Sequence, residues 1–314
     1  MKHPTRRTFG FAFSLLLLFA IEIPAADPSP LLSFIRNGNI WIARSDGSAE
    51  KQLTYSGQDS APAISPNNKL IAFHSGQDPK TGMSRIYIIS TEGGKPQLCS
   101  CEGLQGGKDP SFSPDGQQLI FVALSEVREG RGKQSGAMLG TVSVQIMNLK
   151  NRTCRAVINR ANVFLDAGTI FAAPTFSPDG KWIAVQRSGS DVSGGFEIFT
   201  LEGKGIFRYP QNPEDPTPYW RPRFSADGGS VLCYSPATSD LTRDTISLVN
   251  LKSRRKRILA EGANPVWVDN GRALVFERWR NRWTEDEQSD LWYIDRRPGA
   301  HPHKIISNAM DPAF

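Results

Sequence analysis

The residues with the most chemical potential stand just ahead of prolines. They are Asp109 before Pro110, Arg221 before Pro222, Asn264 before Pro265 and Asp311 before Pro312, with Asp59 two positions short of Ala61-Pro62. Carboxylates gathered at one point can hold a cation, accept hydrogen bonds from a partner's backbone, or act in pairs on a glycosidic bond. An Asp-Pro step is also an ordinary turn starter whose side chain caps nearby amides. A second set alternates arginine with tryptophan: Arg278-Trp279-Arg280-Asn281-Arg282-Trp283, then the acidic Glu285-Asp286-Glu287. Tyr219-Trp220-Arg221, stiffened by Pro216 and Pro218, resembles it in composition. Trp, Tyr and Arg dominate protein-interface hot spots, and aromatic faces also stack on sugar rings. The competing reading is local: the tryptophans cover a sheet edge and the arginines pair with the acidic run.

Groups for covalent chemistry are scarce. The chain has four histidines. His3 lies in the N-terminal leader, and His301 and His303 share one turn, two imidazoles where a catalytic metal needs about three protein ligands. His74 is left to serve a nucleophile, and no Gly-x-Ser-x-Gly elbow accompanies it. The residues therefore point to a binding protein with no catalytic residue, no metal site and no cofactor, although a cation held by the aspartates stays open.

The elements that must position these residues repeat. Ile64-Ser65-Pro66-Asn67-Asn68, Phe112-Ser113-Pro114-Asp115-Gly116, Phe176-Ser177-Pro178-Asp179-Gly180 and Phe224-Ser225-Ala226-Asp227-Gly228 are near copies, and Val266-Trp267-Val268-Asp269-Asn270-Gly271 is a degenerate fifth. Each follows a proline and precedes an apolar run such as Leu119-Ile120-Phe121-Val122. The proline presets φ and the glycine tolerates positive φ, which makes the phrase a tight turn between two strands. A third strand (Ile86-Tyr87-Ile88-Ile89 in the first copy) and a short fourth complete a unit recurring every 42 to 64 residues. Four antiparallel strands per repeat make the blade of a β-propeller. Residues 31–56 supply three strands without a first, and Asp311-Pro312-Ala313-Phe314 supplies a first without the rest. Joined, they close a sixth blade and remove the exposed edges an open ring would leave. The fold class is all-β, a six-bladed propeller spanning residues 27–314.

The Phe-Ser-Pro-Asp-Gly phrase, the third strands and the closing Leu53-Thr54 resemble the WD40-like PD40 repeats of the TolB propeller family, over roughly residues 31–314. The resemblance implies a periplasmic scaffold whose channel mouth accepts a partner's peptide. TolB proteins carry an α/β domain ahead of the propeller, for which residues 26 to 31 leave no room. Propellers of this kind also front serine peptidases, where the chemistry belongs to an appended α/β domain.

Lys2, Arg6 and Arg7 precede an apolar run over residues 9–21 and a small-residue zone, Ile23-Pro24-Ala25-Ala26. This pattern reads as a signal peptide over residues 1–26, with Sec and twin-arginine routes both compatible, and places the protein in the periplasm or outside the cell. Its removal takes three basic residues and Glu22, leaving about +4 of the formal +6, too little to argue for nucleic acid. No other stretch is suited to span a membrane, so no stable anchor is expected once the signal is cleaved. Of the four cysteines, Cys233 reads as a buried apolar residue, while Cys154 could bridge to Cys99 or Cys101.

In such a disc the Ser-Pro-Asp-Gly turns fall on one face, and the individual loops 74–84, 124–141, 187–195, 235–244 and 277–290 on the other. Irregular loops on a rigid scaffold are where binding concentrates. The expected working surface is therefore the irregular face: Trp220, Arg221, Arg278, Trp279, Arg280 and Trp283, around a channel mouth marked by Asp59, Asp109, Asn264 and Asp311. The expected function is a non-catalytic, monomeric scaffold for a protein or peptide partner in the envelope. The alternative is a propeller that binds or cleaves an envelope or extracellular polysaccharide. The basic run Lys252-Ser253-Arg254-Arg255-Lys256-Arg257 reads as a solvated hairpin tip.

Overall fold

A computed structural model describes residues 31–77, 83–130, 138–165, 171–189, 192–211, 217–237, 243–280 and 287–314. The signal-peptide reading and Trp283 lie outside the described residues. The described chain opens with β1 (Leu31–Arg36), β2 (Asn39–Arg44) and β3 (Lys51–Gln52). Blade one follows as β4 (Asp59–Ile64), β5 (Leu70–Ser75), β6 (Arg85–Ser90) and β7 (Gln97–Leu98). Blade two is β8 (Gly106–Phe112), β9 (Gln118–Glu129), β10 (Met138–Asn148) and β11 (Cys154–Phe164). Blade three is β12 (Phe171–Phe176), β13 (Trp182–Gly189), β14 (Val192–Thr200) and β15 (Gly205–Tyr209). Blade four is β16 (Trp220–Phe224), β17 (Ser230–Ser235), β18 (Thr245–Asn250) and β19 (Lys256–Glu261). Blade five is β20 (Ala263–Val268), β21 (Ala273–Arg280), β22 (Gln288–Asp295) and β23 (His303–Ile306). The last strand, β24 (Met310–Ala313), pairs antiparallel with β1, so the sixth sheet runs β24-β1-β2-β3. The protein is a six-bladed β-propeller closed by its two chain ends.

The turn phrase braces itself. In three copies the serine hydroxyl donates to the following aspartate (Ser113 to Asp115 at 2.6 Å, Ser177 to Asp179 at 2.7 Å, Ser225 to Asp227 at 2.5 Å), and Ser65 does the same to Asn67 at 2.8 Å. The same aspartate oxygen accepts the amide two residues on, and the serine oxygen accepts the amide five residues on. Those hydroxyl and amide donors hold Asp115, Asp179 and Asp227 below the ordinary carboxylate range. Gly116, Gly180 and Gly228 take the positive φ that ends the turn.

The core is divided into six apolar clusters, one at each junction between blades. Ile35, Ile40 and Ile42 of the sixth blade pack on Ile71, Phe73 and Ile89 of the first. The ring closes where Leu32 and Phe34 meet Val266, Val275 and Leu291 of blade five. Each fully buried Ile or Phe contributes about 1.5–3 kcal/mol, so every blade is held by both its neighbours. A disulfide joins Cys101, just beyond β7, to Cys154 at the start of β11, with a Cα separation of 6.0 Å. Cys99 and Cys233 are buried thiols, and burial pushes the Cys233 thiol up to about 12.

Three of the expected long loops are mostly strand in their described residues. β9, β10 and β11 run for twelve, eleven and eleven residues, so most of 124–141 forms the arms of a tall hairpin. Residues 187–189, 192–195, 277–280 and 288–290 are likewise strand. Arg278, Trp279 and Arg280 therefore sit on β21, paired with Asp290, Ser289 and Gln288 of β22. The polar residues that seemed to end each strand, such as Ser125 and Arg128, keep their ladder partners, because backbone pairing does not require an apolar side chain.

Candidate functional site

The six innermost strands share one irregularity. Ala61, Asp109, Ala173, Arg221, Asn264 and Asp311, each followed by proline, have φ between +44° and +53°, or +54° for Arg221. Pairing skips at each of these steps, for example between Ser60 and Ala63 or between Ala263 and Val266. Proline has no N–H to give to the ladder, so it is accommodated by a bulge. The bulge turns the preceding residue out of the sheet plane. Sixfold repetition makes a ring of such residues.

Their freed amides need acceptors, and on alternate blades a side chain of the preceding blade supplies one. The Asp109 amide donates to His74 Nδ1 at 3.2 Å, the Arg221 amide to Gln186 Oε1 at 3.0 Å, and the Asp311 amide to Glu277 Oε1 at 2.5 Å. His74, Gln186 and Glu277 occupy one position of the repeat, opposite Ser60, Ala172 and Ala263. The Ala173 amide donates to Asp109 Oδ2 at 3.0 Å. Arg221 Nη2 donates to Asp311 Oδ1 at 2.9 Å, and Asn264 Nδ2 reaches both Glu277 Oε1 (2.8 Å) and Asp311 Oδ1 (3.4 Å). Arg221, Asn264, Glu277 and Asp311 thus join one hydrogen-bonded network, and Asp109 is coupled to it through the Arg221 charge.

Its electrostatics are mixed. Burial would raise Asp109, but Arg221, Lys108 and the Ala173 amide outweigh it and hold the carboxylate below its usual range. Burial lowers His74 despite Asp109 and Asp311, and its Nδ1 already accepts an amide, so the ring is neutral with its proton on Nε2. Arg221 is raised because Asp311 and Asp109 overcome the cost of its burial. Glu277 is fully buried, and desolvation together with the Asp311 charge pushes its carboxyl up to about 8. Its second oxygen and the Asn264 carbonyl oxygen are both buried without a donor. A proton on Glu277 spares the channel a second buried charge beside Asp311.

Other expected residues lie apart. Asp59 accepts the hydroxyls of Thr54 and Ser56 (the latter at 2.5 Å), strapping the entry to β4. Trp220 stands edge-on to Tyr234 at 5.8 Å, and it and Trp279 are part-buried members of the apolar cluster between blades four and five. Arg278 donates to the Glu261 carbonyl at 3.2 Å and lies 4.6 Å from the Trp292 ring centroid. Arg280 is held by Asp290 (3.1 Å), Gln288 and Asn308. Among the described residues, no group of three or more His, Cys, Asp or Glu is placed to hold a metal ion. The sequence reading passed over Gln186 and Glu277. Their signal was a polar residue closing an apolar strand at a common register of the repeat.

Fold and ring together define the class: the chain is a TolB-like six-bladed β-propeller. It is similar to TolB from Acinetobacter baumannii, with a TM-score of 0.66 and 19% identity over 92% of this chain and 67% of that one. Oligogalacturonate lyase from Vibrio parahaemolyticus shares the fold at a TM-score of 0.58 and 10% identity, over 90% of this chain and 80% of the lyase. In sequence the chain is 28% identical over 174 residues to "Uncharacterized peptidase YuxL" of Bacillus subtilis, which is 46% of this chain and 24% of that relative's length. No protein-family profile matches. At these identities the likeness to solved structures shows the fold alone.

Proposed function

We propose that the protein is an exported, non-catalytic binding scaffold of the envelope, which receives a peptide segment of a protein partner at the channel mouth on its irregular face. The observation that carries this is the ring of Asp109, Arg221, Asn264 and Asp311, presented by left-handed backbone that six neighbouring strands hold rigid. Such a ring offers acceptors and donors side by side, the complement of a peptide backbone, and its rigidity lowers the entropy lost on binding. The likeness to TolB supports the reading. The alternative, a polysaccharide-binding or -cleaving propeller, draws on the likeness to the lyase and on the aromatics Trp220 and Trp279.

The test is affinity capture by mature protein from a periplasmic extract. Wild type should retain one stoichiometric protein that Arg221→Lys and Asp109→Asn lose while keeping their circular-dichroism spectra. Retention of no such protein, together with polysaccharide binding that weakens in Trp220→Ala and Trp279→Ala, overturns the proposal in favour of the alternative.

A further inference from the structure

The channel has a second end, on the face of the stereotyped turns. Two residues beyond each left-handed position, the inner strands place Ala63, Ser111, Thr175, Arg223, Val266 and Ala313 around a cavity of about 620 Å³. Five of these are small and uncharged, and one is arginine. One residue further out, Phe112, Phe176, Phe224, Trp267 and Phe314 form a collar, with Pro66, Pro114 and Pro178 beside it. The volume falls in the range of small-molecule sites, about 300–1,000 Å³.

Arg223 is the anomaly. Other part-buried arginines have a carboxylate or an aromatic face: Arg221 meets Asp311 at 2.9 Å, Arg187 meets Glu197 at 2.5 Å, and Arg254 and Arg278 lie over the rings of Phe207 and Trp292. Arg223 Nη1 reaches the Pro222 carbonyl at 3.5 Å, the limit of a hydrogen bond, and no carboxylate lies within ion-pair distance among the described residues. Burial and the Arg221 charge pull its guanidinium down to about 10 against the pull of Asp109 and Asp311. It is nevertheless cationic at neutral pH. An enclosed charge without a counter-ion is costly and calls for a partner. The one side-chain carboxylate on the rim among the described residues, Asp269, takes the Tyr293 hydroxyl at 2.9 Å.

We propose that this funnel is a binding site for a small amphipathic monocarboxylate, its carboxylate on the Arg223 guanidinium and its apolar body within the aromatic and proline collar. A planar guanidinium takes a carboxylate in two parallel hydrogen bonds. The phenyl and proline faces supply apolar contact for a ring or short chain. A dianion such as phosphate would bring a second charge that no other lining residue neutralises. The site lies at the opposite end of the channel from the proposed peptide mouth and does not depend on it.

The probe is 4-phenylbutyrate, followed by calorimetry and by tryptophan fluorescence, with Trp267→Phe identifying the reporter. Charged hydrogen bonds of this type contribute about 1.5–3 kcal/mol, so 4-phenylbutanol on wild type and 4-phenylbutyrate on the Arg223→Gln variant should each bind about tenfold to a hundredfold more weakly, and butyrate should also bind more weakly because it lacks the ring that packs in the collar. Thr175→Glu, which offers Arg223 an internal carboxylate from the neighbouring strand, should block the site and gives a second route should Arg223→Gln not fold. The proposal is overturned if wild type binds no phenylbutyrate at millimolar concentration, or if the alcohol or either variant binds it equally well.

Discussion

Replacing Glu277 by glutamine should change the pH dependence of stability more than any other single substitution in the channel. Glu277 is fully buried beside Asp311, and its carboxyl is pushed from an ordinary value of 4.5 up to about 8. Between those two values the folded protein holds a proton that the unfolded chain has released. Stability therefore falls as pH rises across the window, by about 1.4 kcal/mol per unit where the two states differ by a full proton. Crossing the whole window removes about 5 kcal/mol, and relaxation around the charged form brings the expected loss to about 2–5 kcal/mol. Glutamine keeps the oxygen that accepts from Asn264 and from the Asp311 amide, and it places an N–H where the protonated acid had its O–H. Glu277→Gln should thus match wild type near pH 5 and exceed it by the stated amount above pH 8. Urea denaturation of both proteins at half-unit pH steps measures this. Two stability profiles that run parallel from pH 5 to 9 would refute the reasoning, because they require Glu277 to titrate alike in the folded and unfolded states.

The Cys101–Cys154 bridge closes a loop of 53 residues between two blades, and Cys154→Ser should cost about 2–4 kcal/mol, read as a lower urea midpoint that reductant no longer shifts. Ala61 and Ala173 hold φ near +47° and +44°, where an L-residue is strained by about 1–2 kcal/mol. Glycine gives back about 0.5–1 kcal/mol of that in chain entropy, so Ala61→Gly and Ala173→Gly should stabilise modestly while Ala173→Val destabilises, as thermal melts will show. Arg221→Met leaves Asp311 and Asp109 without their cation and should cost about 3–5 kcal/mol at neutral pH. The same change should raise the Asp109 titration, which carboxyl NMR can follow, and an unmoved Asp109 would show that Lys108 and the Ala173 amide suffice.

The repeat carried the architecture in plain view. Serine, proline, aspartate and glycine at fixed offsets make the same turn in each copy, since every bond that stabilises it lies within about five residues. The strand pairs beside those turns, the closure of β24 on β1 and the ring of residues ahead of the prolines followed from the same periodicity. Strand lengths did not, because ladders such as β9 with β10 continue through polar residues that a search for apolar runs reads as loop. The partnerships inside the channel were also beyond reach: the Asp109 amide meets His74 across 35 positions and Arg221 meets Asp311 across 90. Local chemistry writes itself into neighbouring letters, so turns and blades are readable from the chain. Which buried charges find a counter-ion within the chain, and which, like Arg223, face the lumen without one, depends on distances that exist only after six blades have closed into a ring.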